Sequence, residues 1–537
     1  MKNLMSLRFK VNSWLSKDVY KELLNFSDFI TRKEGISIFE INEGKMKNNK
    51  YTPIDVIEKL KELEDVIDKN DIINIENFFK DSIGVKLEYD GKFIILKSKL
   101  FLKPYLEDFQ LRGKYNSTHK YYQFEPFLYF DLKEHLVSKG LIVDDKTGIF
   151  IDNKLPRQLK FNGELRDYQE EAVKAWESNK NKGVIVLPTG SGKTIVAINA
   201  MTKLNVPTLI VVYTKEHIRQ WEDSIKKFTD AGGMIGSFYG DEKTILPITI
   251  TTYQSAFRNI DIFSKKFMLL IFDEAHHLPA EKFKAIATKM PSPYRMGLSA
   301  TAVREDGKHE EIFPLIGGII YQKSPSELSE EGYLAPFIIR RIRVELNKED
   351  MNKYDELRKL YINYSKGRSF NEILEAARRG ETNAIRALKI KSQMQQIIQK
   401  SSSKIEKVIE IAKNELSKGS KIIIFTQYRD QAEELASKLN AYLIHGGIDE
   451  KNRIETLYNF KSSKSGILVI TTVGDEGLDI PDANVGIFVS GTGSRRQFIQ
   501  RLGRLLRPIP GKKSVLYEII ASRTSEEAQS KKRRSGI

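Results

Sequence analysis

The sequence predicts an α/β protein with two parallel-sheet lobes, a small α+β region before them and a basic helical insert between them. Three observations predict it. Short apolar runs alternate with helical pattern in VIVLP, TLIVVY, PITITTY and FMLLIF, as fully buried parallel strands do. The same rhythm restarts after residue 400 in KIIIFTQ, SGILVITT and NVGIFV. A glycine loop and a pair of carboxylates each follow one of the first-half runs, which places polar chemistry at the carboxyl edge of a sheet.

The glycine loop lies in Val184–Met201, VIVLPTGSGKTIVAINAM, in the order strand, loop, helix. Thr189, Gly190, Ser191 and Gly192 are small enough for successive backbone N–H groups to face a phosphate chain, and the following helix adds its positive end. Lys193 is then placed for the β/γ-phosphates and the Thr194 hydroxyl for Mg²⁺. One position departs from the strict pattern, which has glycine where this chain has Leu187. ATP and Mg²⁺ are therefore the expected cofactors.

Composition narrows the classes. The 537 residues are enough for several domains, and 87 Lys+Arg against 71 Asp+Glu give a formal charge of +16, which favours a polyanionic partner. The absence of cysteine excludes disulfides and thiolate metal sites, and the seven scattered histidines suggest no metal cage. No apolar run approaches a membrane span and the first residues lack a signal-peptide core, so a cytoplasmic protein without membrane contact is expected.

Residues 1–84 carry no catalytic signature. Ile54, Ile57, Leu60, Leu63 and Ile67 recur at helical spacing, so this accessory extension is expected to be rich in helix. From Val85 the character changes: KLEYDGKFIILKS reads as a hairpin turning at Asp90-Gly91. Seven aromatics then fall between Tyr115 and Phe130, interleaved with basic residues. Two readings stand, a surface that stacks on unpaired bases and a half-buried sheet. Tyr115, Tyr121 and Tyr122, flanked by Lys114, His119 and Lys120, form the expected outward set.

The segment LRDYQEEAVKAW opens a helix just before the glycine loop, with Gln169 placed to read adenine and Arg166 beside it. The run MLLIF ends in Asp273-Glu274. Asp273 is expected to hold Mg²⁺ together with Thr194, and Glu274 to orient and deprotonate the attacking water. His276 and His277 are adjacent and cannot converge on one metal as an i, i+4 pair does; contact with the next motif is expected instead. That motif, GLSAT, ends a strand in Ser299 and Thr301, and Arg304, Glu305 and Asp306 follow in a polar loop. The helical stretch Asp350–Lys400 is crowded with Lys and Arg, and reads either as a solvated insert or as a hinged grip on a phosphate backbone. In the last part, Arg501, Arg504 and Arg507 recur at three-residue spacing, suited to a departing γ-phosphate. Gln500 joins the catalytic set, and Asp479 is placed for ribose.

The ordered set RDYQ, LPTGSGKT, TLIVVYT, TTYQSA, DEAHH, GLSAT, IIIFTQ, TTVGDEGLDIP and QRLGRLLRP resembles a superfamily 2 helicase or translocase, in which the position of Leu187 is often not glycine. Within that group the chain is similar to the XPB family, in its shorter archaeal form. Arg304-Glu305-Asp306 matches that family's RED element, the basic insert sits where the family has its thumb, and Val85–Asp152 where archaeal members have a damage-recognition domain. The resemblance implies two RecA-like lobes with ATP in the cleft, Lys193, Thr194, Asp273 and Glu274 coming from the first and Arg504 and Arg507 from the second. It implies nucleic-acid or coupling roles for Thr214, Gln254, Ser299, Thr301, Thr426, Thr471 and Thr472. DNA, as single strand and distorted duplex, 3′→5′ polarity, a repair or transcription role, a nuclease partner and a monomeric motor follow from it as expectations. The expected domains are 1–84, 85–153, 154–340 (first lobe), 341–400 (insert) and 401–537 (second lobe). Two alternatives stay open: another superfamily 2 motor, acting on RNA or of restriction type, and an ATP-gated DNA scaffold that barely unwinds.

Overall fold

The computed structural model describes residues 7–80, 84–107, 109, 113–149, 154–300, 308–471, 483–489, 514–527 and 530. The chain forms two compact units. One comprises Met1–Lys154 with Ala256–Met268 and Lys284–Pro293; the other comprises Leu155–Ser255, Leu269–Phe283 and Tyr294–Ile537.

In the first unit, β1 (Arg8–Val11), β2 (Ser27–Lys33) and β3 (Ile36–Ile41) form an antiparallel sheet in the order β1-β3-β2. The expected amphipathic helix runs Pro53–Glu62, started by a Thr52–Asp55 capping box, and buries Val56, Ile57 and Leu60. It stops short of Ile67, which bridges Val11, while Asn12 N–H donates to Val66 O at 2.8 Å. Sheet pairing therefore claims the end of a stripe that spacing alone assigns to helix.

A second sheet contains β4 (Gly84–Tyr89), β5 (Ile94–Ser98), β6 (Lys114–Asn116), β7 (Tyr121–Phe124) and β8 (Ile142–Asp145), ordered β6-β7-β5-β4-β8. The Asp90-Gly91 turn forms as expected: Asp90 Oδ1 accepts from Lys92 N at 2.8 Å and from Phe93 N at 2.6 Å, and Gly91 takes φ 91°. Phe9, Phe39 and Leu60 share one apolar core with Leu87, Leu96 and Leu132, so the break expected after residue 84 is no break in packing. The aromatics divide. Phe124 and Tyr129 are core, Tyr122 is half-buried, and Tyr115 is 55% exposed with its ring 4.9 Å from that of Tyr122.

The second unit holds the two predicted parallel sheets. The first contains β9 (Lys182–Val186), β10 (Thr208–Val212), β11 (Ile235–Tyr239), β12 (Glu242–Lys243), β13 (Ile248–Thr252), β14 (Leu269–Phe272), β15 (Tyr294–Ser299) and β16 (Ile319–Gln322). Its order is β12-β11-β13-β10-β14-β15-β9-β16, with only β12 antiparallel. Every residue of β10, β13 and β14 is buried, which explains why their sequences read as unbroken apolar or Thr-rich runs.

The second sheet contains β17 (Phe337–Val344), β18 (Lys421–Thr426), β19 (Tyr442–Ile444), β20 (Gly466–Thr471), β21 (Val485–Phe488) and β22 (Ser514–Ala521), ordered β17-β22-β21-β18-β20-β19 and parallel throughout. The boundary expected at 340 falls inside β17, which pairs with β22 along its whole length. Its sequence, FIIRRIRV, is that of an edge strand with alternating exposure, and its Arg-rich face hides it among loop-like residues. The insert is helical, in Lys348–Ser365, Phe370–Arg378 and Thr382–Lys400. Part of its positive charge is engaged within it: Lys391 Nζ lies 3.5 Å over the Phe370 ring, and Arg379 pairs with Glu375 at 3.8 Å.

Candidate active site

The loop after β9 is held from behind. The Ser191 carbonyl accepts from Tyr168 Oη at 2.5 Å and from Gln169 Nε2 at 2.9 Å, and Ser191 Oγ donates to Pro188 O at 2.7 Å. Gly190 and Gly192 adopt φ 85° and 82°, conformations that an L side chain resists. A Cβ on Gly192 would also lie 2.5 Å from Gln169 Nε2. The helix Lys193–Leu204 starts directly after Gly192, so its first N–H groups and Thr194 stand at the loop. Lys193 Nζ donates to Leu187 O at 3.0 Å and to Pro188 O at 3.3 Å, keeping the ammonium over the loop. Thr189 is half-buried and Gly190 exposed.

Gln169 is 3% exposed, and its Oε1 accepts from Arg166 N at 3.0 Å while Nε2 supports the loop. The residue expected to read a base also supports the phosphate loop, through the Ser191 carbonyl. Arg166 Nη1 donates to Tyr333 O at 3.2 Å, with its guanidinium 5.8 Å from the Tyr333 ring.

The carboxylates come from β14, separated from β9 in the sheet by β15 alone. Trp221 Nε1 donates to Asp273 Oδ2 at 2.8 Å, Glu274 N donates to Oδ1 at 3.0 Å, and Tyr253 Oη donates to the Asp273 carbonyl at 3.0 Å. Burial pushes Asp273 above the ordinary carboxylate range and the charge of Glu274 adds to it, with His217, Trp221 and Lys193 acting in opposition. Burial also works against the charge on Glu274. The contact with His276, whose Nδ1 lies 3.2 Å from Oε2, and the charges of His276, Lys193 and His217 together outweigh burial and hold the group well below the usual range. Glu274 sits at φ 48°, a sparsely populated backbone state for a non-glycine residue. His276 thus serves the preceding carboxylate, and His277 stacks on Tyr213 at 3.9 Å.

The residues expected on the nucleic-acid side are dispersed. Thr214 caps the helix Lys215–Phe228, accepting from His217 N, and Gln254 is exposed at the start of Tyr253–Arg258. Ser299, at the end of β15, is 3% exposed. Thr426 and Thr471 are 1% and 3% exposed on paired positions of β18 and β20, and Thr426 Oγ1 donates to Gln431 Oε1. Both side chains are thus buried at the ends of their strands. Thr301, Arg304, Glu305, Asp306, Thr472, Asp479, Gln500, Arg504 and Arg507 lie outside the described residues. Sequence reasoning missed Trp221, Tyr253 and Tyr168. Each sits within an apolar helical stripe or beside a motif, where an aromatic reads as core.

The donor set fits a nucleoside triphosphate with Mg²⁺: a glycine cradle that a Cβ would obstruct, a lysine held over it, a hydroxyl at the helix start and a half-buried carboxylate that needs a cation. Two mostly parallel sheets in succession, the first with this loop and a DEAH-type pair at strand ends one strand apart, define a superfamily 2 helicase with RecA-like lobes.

Comparison with known proteins narrows the class. Residues 162–304 match the family model for the type III restriction enzyme res subunit, and residues 385–537 match that for the ERCC3/RAD25/XPB C-terminal helicase. The DNA 3′-5′ translocase XPB2 of Sulfurisphaera tokodaii is 38% identical over 430 residues, covering 78% of this chain and 95% of that protein. A protein of Sulfolobus islandicus filamentous virus, itself named only as a helicase, is 28% identical over 542 residues, covering 92% of this chain and 90% of its own. The helicase domain of Pyrococcus furiosus Hef aligns with a TM-score of 0.46 at 20% identity, over 69% of this chain and 98% of that one. The chain belongs to the XPB family of superfamily 2 DNA helicases.

Proposed function

We propose that the protein hydrolyses ATP at the β9 loop and the Asp273-Glu274 pair to move along DNA in the 3′→5′ direction and open it. The observation that carries this reading is the convergence of a preorganised phosphate loop and two electrostatically distinct carboxylates at one edge of the first sheet, with Lys193 acting on both. Lys193 and the N–H groups beginning Lys193–Leu204 would hold the phosphates, with Thr194 and Asp273 as the protein ligands of Mg²⁺. When bound, that ion neutralises charge on the phosphate oxygens. Glu274, kept ionised by His276 and Lys193, orients the attacking water and accepts its proton. Arg504 and Arg507, supplied by the second lobe, would stabilise charge on the departing phosphoryl.

DNA as single strand and distorted duplex, a monomeric motor and a nuclease partner belong to the same proposal. It also includes a base-stacking role for the exposed Tyr115, a thumb role for the three-helix insert, and strand contact near Thr214 and Gln254. The direction follows that of the Sulfurisphaera relative, a DNA 3′-5′ translocase. Against a restriction-type motor stands the XPB-type match over residues 385–537, whereas the restriction-type match is confined to residues 162–304.

The test is strand displacement on 3′-tailed DNA, 5′-tailed DNA and RNA, run beside an ATPase assay with wild type and Lys193→Ala. Displacement confined to 3′-tailed DNA and abolished by Lys193→Ala supports the reading. Equal action on RNA, or ATP turnover without displacement on any substrate, replaces it with the RNA motor or the scaffold respectively.

A further inference from the structure

Two hydrogen bonds reach Asp273 from segments that carry no phosphate chemistry, and a chain of ring contacts leads to one of them. Tyr213 directly precedes Thr214, and its ring lies on that of His277 at 3.9 Å with an interplanar angle of 8°. This is closer than the ~4.5–7 Å usual for paired rings. His277 also meets the Tyr253 ring edge-on at 6.4 Å. Tyr253, fully buried and adjacent to Gln254, donates its hydroxyl to the Asp273 carbonyl at 3.0 Å. Trp221, on the helix that Thr214 caps, donates to Asp273 Oδ2 at 2.8 Å.

The carboxylate plane of Asp273 is thus set by two donors, the indole at Oδ2 and the Glu274 amide at Oδ1. Neither aromatic contact is needed to satisfy an apolar core, since Phe at either position would fill the same space. Close-packed rings do not slide independently: a shift of Tyr213 must displace His277, and through it Tyr253.

We propose that the Tyr213–His277–Tyr253 ring cluster, with Trp221, is the positioning device through which strand engagement near Thr214 and Gln254 sets the orientation of the Asp273 carboxylate. These are positioning residues that act through Asp273 and touch neither nucleotide nor strand. The inference rests on the reading of the protein as a DNA-stimulated ATPase.

The decisive variant is His277→Ala, compared with His277→Phe, which restores a stackable ring, and with Tyr213→Ala. In His277→Ala the DNA-stimulated component of ATP turnover falls roughly twofold to thirtyfold, the range of such couplings. Basal turnover and DNA affinity at one fixed salt concentration stay within about twofold, and His277→Phe recovers most of the stimulation. A second readout needs no turnover. The tryptophan emission difference between wild type and Trp221→Phe changes when DNA is added without nucleotide, and the same difference taken in a His277→Ala background does not.

Undiminished stimulation in His277→Ala, parallel loss of basal turnover or of DNA affinity, or failure of His277→Phe to recover, each overturns the inference. If the alanine variants melt below the assay temperature, Tyr253→Phe decides, because it removes only the bond to Asp273; unchanged stimulation there overturns it equally. A wild-type protein whose ATP turnover ignores DNA sinks the underlying reading and not the ring cluster in particular.

Discussion

The two parallel sheets bury charge in opposite ways. Against the second sheet, on the helix Ser402–Ser417, Lys404 is fully buried and its Nζ donates to Glu526 at 2.8 and 2.6 Å, to Val489 O at 3.2 Å and to Ile519 O at 3.3 Å. Glu526 Oε2 also accepts from Ala521 N at 2.8 Å, so the pair closes on itself and ties the segment after β22 to the end of β21. In the first sheet, Lys193 rests on carbonyls of its own loop, and Asp273 is pushed toward protonation beside an ionised Glu274. A buried charge surrounded by short hydrogen bonds is structural. One held at a strand end against another charge of the same sign is reserved for a ligand.

That contrast breaks most sharply at Glu274. Glu274→Gln should cut ATP turnover by about 10²–10⁴-fold while the chain still binds nucleotide and melts normally, because the loss is of a base and not of packing. Equal loss of nucleotide affinity would make the residue a ground-state ligand.

Lys404→Met should do the reverse. Removing one partner strands the Glu526 carboxylate in the interior, and unfolding measurements should show a loss of about 3–5 kcal/mol. Adding Glu526→Leu should return much of it. If Lys404→Met instead alters turnover at unchanged stability, the second sheet's ion pair is functional and the contrast fails.

Gly192→Ala probes the cradle. The left-handed φ and the 2.5 Å approach to Gln169 Nε2 together predict a penalty of roughly 1–3 kcal/mol, read as weaker nucleotide binding and lower stability. A neutral substitution would mean that the loop rearranges freely.

The smallest effect belongs to the N-terminal unit. Burial alone would raise the pKa of Asp145, but hydrogen bonds from Lys133 at 2.7 Å, from Tyr129 and from Thr147 hold it down to about 2 from an ordinary 3.8. A depressed folded-state value contributes stability above pH 4 that disappears as pH falls through about 2. With its partial exposure discounted, the contribution is on the order of 1–2 kcal/mol. The melting temperatures of wild type and Asp145→Asn should differ at pH 6 and converge between pH 4 and pH 2. A constant gap would remove Asp145 from the acid response.

What the sequence by itself determined is the first lobe's framework. Runs such as TLIVV and MLLIF admit no amphipathic reading, so they must be strands covered on both faces, and the loop GSGKT and the pair Asp273-Glu274 then fall at strand ends by connectivity alone. The Asp90-Gly91 hairpin was equally legible, since a local turn carries its own chemistry. Three things waited for the tertiary structure. Ile67 left its helical stripe to pair with Val11, and residues 256–268 and 284–293 joined the N-terminal unit; neither is encoded within a short window. Gln169 became a support for Ser191, because a side-chain amide bonds whatever the fold brings within reach. Trp221 looks in sequence like ordinary core, and His277 like half of an adjacent pair expected to contact the next motif. Their roles at Asp273 and Tyr213 depend on distances between residues far apart in the chain, which periodicity does not report.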